Sequence, residues 1–312
     1  MIIKKYLFSF IVLIMAVYFG VSFGATSGLD FDSIVQLRLP RVLLAISSGM
    51  SLACAGAVLQ ALFTNPLCDP YTLGVSSGAA LGAALGIVLG FEAWFLGLAL
   101  SAFIGALAFM LVLILISLKT RLTNLTLLLC GVMLGFLGSS GVAICMTIGD
   151  AQGMQNALFW LMGDLSRARM HGVLLTLFVS LILIFMLWRK STQLDAFLMG
   201  EENASGLGVS VPKLRRQFIF LTSLLVGLSV ASSGMIGFLG LIVPHFSRKL
   251  VGSLHFNMIP FCIIWGAVAL VLADLMARVL LKPYELPVGV ITAFVGAPLF
   301  IWMILSDGRS RN

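Results

Sequence analysis

Residues 74–78 read Gly-Val-Ser-Ser-Gly, which fits G-x-S-x-G, the turn on which a hydrolase exposes a nucleophilic serine between a strand and a helix. Ser76 would need a base, and among His171, His245 and His255 the candidate is His245. The flanking residues argue against this chemistry. Pro66 and Pro70 precede the motif and a long apolar run follows it, so Ser76 is expected near the start of a helix with no sheet behind it. Gly74, Gly78 and Gly82 recur every fourth residue, Gly86 continues the row, and Ala79 and Ala83 repeat alongside. That spacing makes one smooth helix face against which a second helix can pack closely. Serine hydroxyls on such a helix are satisfied by a carbonyl one turn back.

Other chemistry is sparse. The five cysteines, Cys54, Cys68, Cys130, Cys145 and Cys262, form no CxxC pair, and four lie in apolar runs where they read as small buried hydrophobes. The histidines show no HExxH or similar ligand spacing, so no metal site is expected. No GxxxxGK[ST] occurs, so the chain carries no P-loop of its own. Asp274 is an acid inside an apolar run, where a charge is costly. Arg278 follows it by one helical turn, so an intrahelical pair is available; a proton relay is the alternative.

The elements that hold these residues are membrane spans. The 312 residues are 60% hydrophobic and 10% charged, against about 25% charged in soluble domains. Mean hydropathy is +1.12, more apolar surface than one soluble core can hide. Apolar segments long enough to cross a bilayer, or nearly so, fall at about 6–24, 42–63, 71–90, 94–118, 124–148, 171–188, 214–233, 236–251, 258–281 and 287–305. The first follows Lys4-Lys5 and reads as an uncleaved span. The eighth is short, and Pro244 is expected to kink or break it. Phe159, Trp160 and Leu161 are expected on a short interfacial helix with an aromatic anchor.

The net charge of +7 is spread in short clusters between spans, with no basic tract suited to nucleic acid. With both termini in the cytoplasm, only Arg38, Arg41, Arg167, Arg169, Arg278 and Lys282 of the 19 Lys and Arg residues fall outside. The positive-inside rule supports that orientation, and the six exceptions call for a purpose.

Four stretches together carry a resemblance. They are LRLPRVLLAISSGMSLACAGAVLQALFTNPLCDPYTLGVSSGAALG (37–82), GEENASGLGV (200–209), GMIGFLGLIVPHFSRKLVG (234–252) and ADLMARVLLKPYELPVGVITAFVGAPLFIW (273–302). In type, order and spacing they resemble the permease subunits of ABC importers for ferric siderophores, haem and vitamin B12, over about residues 6–305. The resemblance implies an all-α integral membrane fold of about ten helices, like that of a vitamin B12 permease, with residues 1–312 as a single domain. It implies a bacterial inner (cytoplasmic) membrane protein that does no covalent chemistry and binds no cofactor. Its implied partners are a second permease copy or paralogue, two ATPase subunits that use ATP and Mg, and a periplasmic or lipid-anchored binding protein.

The resemblance also assigns residues. Arg38, Arg41 and Arg278 match positions that receive acidic groups of the binding protein; anchoring to lipid phosphate, or a local pair such as Arg278 with Glu285, is the alternative. The cytoplasmic loop at about 190–213 corresponds to the coupling segment seated in the ATPase, with Glu201, Glu202, Ala204, Gly206, Leu207 and Gly208 as the matching positions. Met133, Gly135, Ser139 and Met146 of the fifth span, and Pro244, are implied in the pathway or its gating, with plain packing as the alternative for the methionines. Two other classes remain open: an ion-coupled secondary carrier, which needs a midplane polar site in inverted repeats, and an intramembrane serine hydrolase built on Ser76.

Overall fold

The computed structural model describes residues 2–24, 34–91, 97–119, 124–149, 151–208, 210–282 and 284–309. Among them there are helices and turns and no strand. In the absence of water a chain must satisfy its backbone within each segment, and helices do so. The order is α1 (Ile2–Ser22), a π-helical turn (Ile34–Arg38) continuing into α2 (Leu39–Leu62), a 3-10 turn (Pro70–Leu73), α3 (Val75–Val88), α4 (Gly97–Lys119) and α5 (Asn124–Ile148). Next come α6 (Ala151–Leu161), α7 (Met170–Arg189), α8 (Ser191–Leu198), α9 (Glu201–Gly206), α10 (Val211–Ser233), α11 (Leu239–Val251), α12 (His255–Val279) and α13 (Val288–Arg309).

Among the described residues seven stretches are long and apolar enough to cross a membrane: Ile3–Ser22, Ile34–Leu62, Gly97–Leu118, Leu125–Ile148, Met170–Arg189, Val211–Ser233 and His255–Val279. Val75–Val88 and Val288–Met303 are shorter apolar helices, and α11 is the short eighth segment. Each of the spans expected from hydropathy is therefore a helix.

The architecture is built around α2, whose side chains are almost all buried and which packs on α12, α10, α11 and α7. Glycine permits the closest approaches. A Cβ placed on Gly49 would lie 2.2 Å from Gly266 O of α12, and one on Gly56 would lie 2.0 Å from Gly240 O of α11. The row of small residues on α3 meets α4 in the same way: a Cβ on Gly82 would lie 2.2 Å from Ser101 O. This disposes of the nucleophile motif. Ser76 is buried in the first turn of α3, and the glycines around it form a helix–helix seam.

Two expectations are corrected. Of the kink or break expected at Pro244, the break does not occur: α11 runs unbroken from Leu239 to Val251. A proline takes away the N–H that would bond the carbonyl four residues back, here Gly240 O. Gln60 of α2 donates its Nε2 to that oxygen at 3.0 Å, so the helix continues. Trp160 is buried at 3% exposure and joins the core, while its neighbour Phe159 is the exposed ring; the anchor role does not fall to Trp160.

Candidate functional site

The described residues concentrate their buried charge at one end of the bundle, where α1 ends, α2 begins and α12 ends. Arg41 Nε donates to Asp274 Oδ1 at 2.7 Å, and Arg41 Nη1 donates to Glu285 Oε2 at 2.7 Å. Arg278 Nε lies 3.0 Å from the second Asp274 oxygen, so the pair expected from the i,i+4 spacing is present. Asp274 is fully buried, which its two arginine partners make tolerable. Glu285, 38% exposed at its side chain, is the solvent-facing member. Of the alternative local pairs, Arg278 with Glu285 is not the one formed: Glu285 is held by Arg41, and Arg278 pairs with Asp274.

Arg38 and Arg278 also serve the helix that precedes them. A helix leaves its last carbonyls unbonded. Arg38 Nη1 donates to Val21 O at 3.2 Å and Ser22 O at 3.0 Å. Arg278 Nη1 donates to Phe23 O and Nη2 to Gly20 O, both at 2.9 Å. Two cations at the negative end of α1 also complement its dipole. All three arginines singled out from the sequence thus meet in one buried cluster.

Beside the cluster lies a cavity of about 200 Å³ lined by Arg41, Phe159, Asp164, Ser166 and Glu285 among others. Its floor is the junction of three elements. Asp164 N donates to Ser233 O at the end of α10 (2.9 Å), and Val288 N and Gly289 N at the start of α13 donate to Gly163 O (3.1 Å) and Met162 O (3.0 Å). A Cβ on Gly289 would lie 2.3 Å from Met162 O, which explains the glycine. Asp164 Oδ1 accepts from Ser166 N and Oγ, and its Oδ2 pairs with Arg167 at 3.2 Å.

At the opposite end, α8 and α9 form two short helices between α7 and α10. Ala204 is buried; Gly206 and Leu207 are exposed, and Gly208 turns the chain with φ +80°. The backbone of Glu201 and Glu202 opens α9, and their side chains lie outside the described residues. In the turn between α2 and α3, Asp69 Oδ1 caps the 3-10 helix by accepting from Tyr71 N at 2.9 Å. Burial pushes its carboxyl up to about 6, against the opposing pull of that N–H.

Of the residues expected along the pathway, Gly135, Ser139 and Met146 fall on one face of α5, four and seven residues apart, Met133 is exposed on another side of the same helix, and Pro244 is buried in α11. The sequence reading missed Glu285 as the partner of Arg41 and the capping of α1. It also missed a joint at the opposite end, where Trp188 and Asp195 bind the first turn of α12. The legible signal was Pro260, since a proline within a helix marks an unbonded carbonyl four residues earlier.

A many-helix membrane bundle, with a charged junction at one end and paired short helices at the other, has the build of a transport permease. The sequence pattern of the FecCD transport family matches residues 5–306, and the chain belongs to that family. It is 40% identical over 289 residues to the vitamin B12 import system permease protein BtuC of Vibrio cholerae serotype O1, covering 92% of this chain and 87% of that protein. It is 36% identical over 283 residues to the hemin transport system permease protein HmuU of Yersinia pestis, covering 89% and 84%. Its fold is similar to a solved ABC transporter in an inward-facing conformation, assigned to the metal-chelate type, with TM-score 0.90 and 35% identity over 97% of this chain and 99% of that one. The protein is accordingly an ABC importer permease and not an enzyme; ATP hydrolysis belongs to a separate ATPase subunit.

Proposed function

We propose that this permease carries a metal chelate, of the cobalamin, haem or ferric siderophore kind, inward across a bacterial cytoplasmic membrane. The observation that carries this is the family match across residues 5–306, together with relatives that import vitamin B12 and hemin. The cargo arrives on a periplasmic or lipid-anchored binding protein and crosses between this permease and a second copy or paralogue. Two ATPase subunits, using ATP and Mg, drive the switch between outward-open and inward-open arrangements.

In this reading both termini are cytoplasmic and the arginine cluster faces outward. Arg41, Arg38 and Arg278 form the docking floor for acidic groups of the binding protein, with Arg41 at the cavity rim beside the solvent-facing Glu285. The 190–213 segment meets the ATPase through Glu201, Glu202, Ala204, Gly206, Leu207 and Gly208. Met133, Gly135, Ser139, Met146 and Pro244 contribute to the pathway or its gating, with α5, α13 and the segment after α5 as its walls. The exposed apolar faces of α5 and α13, with Phe136, Leu137, Phe294 and Ile301, support a lipid-facing or permease-facing role for those helices.

The test is uptake of labelled cobalamin, haemin and a panel of ferric siderophores by cells lacking the permease, with the chain restored or restored as Glu201→Arg/Glu202→Arg. Uptake of one compound is expected with the unaltered chain and is expected to fall by more than about tenfold with the reversed charges, at equal membrane abundance. No restored uptake of any compound would remove the cargo assignment. Undiminished uptake by the reversed chain would remove the ATPase contact at those two glutamates.

A further inference from the structure

Two backbone groups at the start of α12 lack partners within their own helix, and each is bound by a side chain from the segment that runs into the coupling loop. The first is the N–H of His255, an unbonded donor because it opens the helix. Asp195 of α8 accepts it, with Oδ1 at 3.1 Å and Oδ2 at 3.3 Å. The second is the carbonyl of Phe256, left unbonded because Pro260 has no N–H to give. Trp188, one residue before the end of α7, donates its indole Nε1–H to that oxygen at 2.9 Å.

Both contacts are doubled by the side chains. Asp195 Oδ1 lies 2.5 Å from His255 Nδ1, and His255 is 2% exposed. Trp188 stacks on the Phe256 ring at 5.0 Å between centroids and 29° between planes. A first-turn donor and a proline-orphaned acceptor, one residue apart, are therefore filled by two side chains seven residues apart on α7 and α8. Nothing comparable is needed for folding α12 alone, since water or lipid headgroups satisfy the first turn of a helix that ends at a membrane surface.

From this joint α12 runs as one helix of 25 residues, about 38 Å at 1.5 Å per residue. Its other end holds Asp274 and Arg278, the centre of the arginine cluster. We infer that the Trp188–Phe256 and Asp195–His255 joint fixes the coupling segment to α12, so that displacement of that segment by the ATPase is delivered to the arginine cluster at the outer face. Trp188, Asp195 and His255 are positioning residues of the transport cycle. This rests on the reading of 190–213 as the ATPase contact. It adds a named route, through a rigid helix with an attached element at each end, in place of coupling by spatial nearness.

The experiment uses the permease purified in complex with its ATPase, carrying Leu280→Cys just past α12, where the side chain is exposed. The native cysteines are buried or half-buried and the chain without Leu280→Cys supplies the background. The readout is the rate of labelling by a membrane-impermeant maleimide without nucleotide and after trapping with ATP and vanadate. A change of about fivefold or more is expected in the parent, the size of an ordinary coupling between sites. Trp188→Phe keeps the ring stack and loses the N–H; Asp195→Ala loses both acceptors. Each is expected to keep the ATPase bound while the nucleotide-dependent change collapses toward unity.

Asp195→Asn keeps an oxygen for the His255 donors and is expected to restore the response, a rescue that loss of folding would not show. A response that survives both Trp188→Phe and Asp195→Ala overturns the inference, as does a parent whose position 280 ignores nucleotide. Loss of ATPase binding on Glu201→Arg/Glu202→Arg, with an intact response in both joint variants, would overturn the joint alone. Retained binding by the reversed chain would overturn the coupling-segment reading beneath it.

Discussion

Asp274 has no exposure, and its two oxygens each face an arginine, Arg41 and Arg278. Removing the carboxylate leaves two buried cations, Arg41 and Arg278, with the solvent-facing Glu285 paired to Arg41 alone. Asp274→Ala is expected to cost about 3–5 kcal/mol, the range for breaking a buried ion pair from one side. Thermal unfolding of the purified permease checks it, with Asp274→Asn retaining part of the loss because an amide oxygen still accepts one arginine hydrogen bond. Half of this cluster was legible in the sequence. The spacing of Asp274 and Arg278 puts them on one helix face, and local spacing is what a sequence displays. Arg41 and Glu285 are 244 positions apart, and only the packing of α2 on α12 brings them together.

Helices were the easiest level to read, because a bilayer demands long apolar runs and the runs are there. What hydropathy does not record is how an imperfect helix is completed. Pro244 and Pro260 each leave one carbonyl without an N–H, and each carbonyl is taken by a side chain from another helix, Gln60 and Trp188 respectively. The expected break at Pro244 failed for this reason: the sequence shows the missing donor but not the one that replaces it. Gln60→Leu should therefore orphan Gly240 O, and Arg248 would lose its acceptor Gln60 Oε1 as well. A loss of about 1–3 kcal/mol is expected. Adding Pro244→Ala to Gln60→Leu restores a backbone N–H opposite Gly240 O and should recover part of that stability. Paired unfolding measurements on the single and double variants decide it; a rescue of zero would mean that Gln60 acts through Arg248 alone.

Across the whole molecule, α12 touches both functional ends, and α1 lies along it. At one end of α1, Lys5 Nζ donates to Leu250 O and Tyr6 Oη to Asn257 O; at the other, Arg278 donates to Gly20 O and Phe23 O. A Cβ on Gly20 would sit 3.1 Å from Val271 Cγ1, so cysteines at positions 20 and 271 are expected to form a disulfide in the mature protein. Non-reducing gels of the oxidised Gly20→Cys/Val271→Cys chain check this; an absence of the cross-link would mean that α1 packs elsewhere.

The distance along the chain between those partners sets an order of events during manufacture. Gly20 and Arg278 are separated by 258 positions, which at 5–20 residues per second takes about ten to fifty seconds to bridge. During that interval the first helix is already in the bilayer, with few contacts to α2 and with Arg38 as the only one of its two capping arginines yet made. Of the described helices, α1 enters the membrane before all the others and is among the last to find its seat. A ribosome stalled before the codon for residue 278 would release a chain whose first helix is open to the insertion machinery and to membrane proteases.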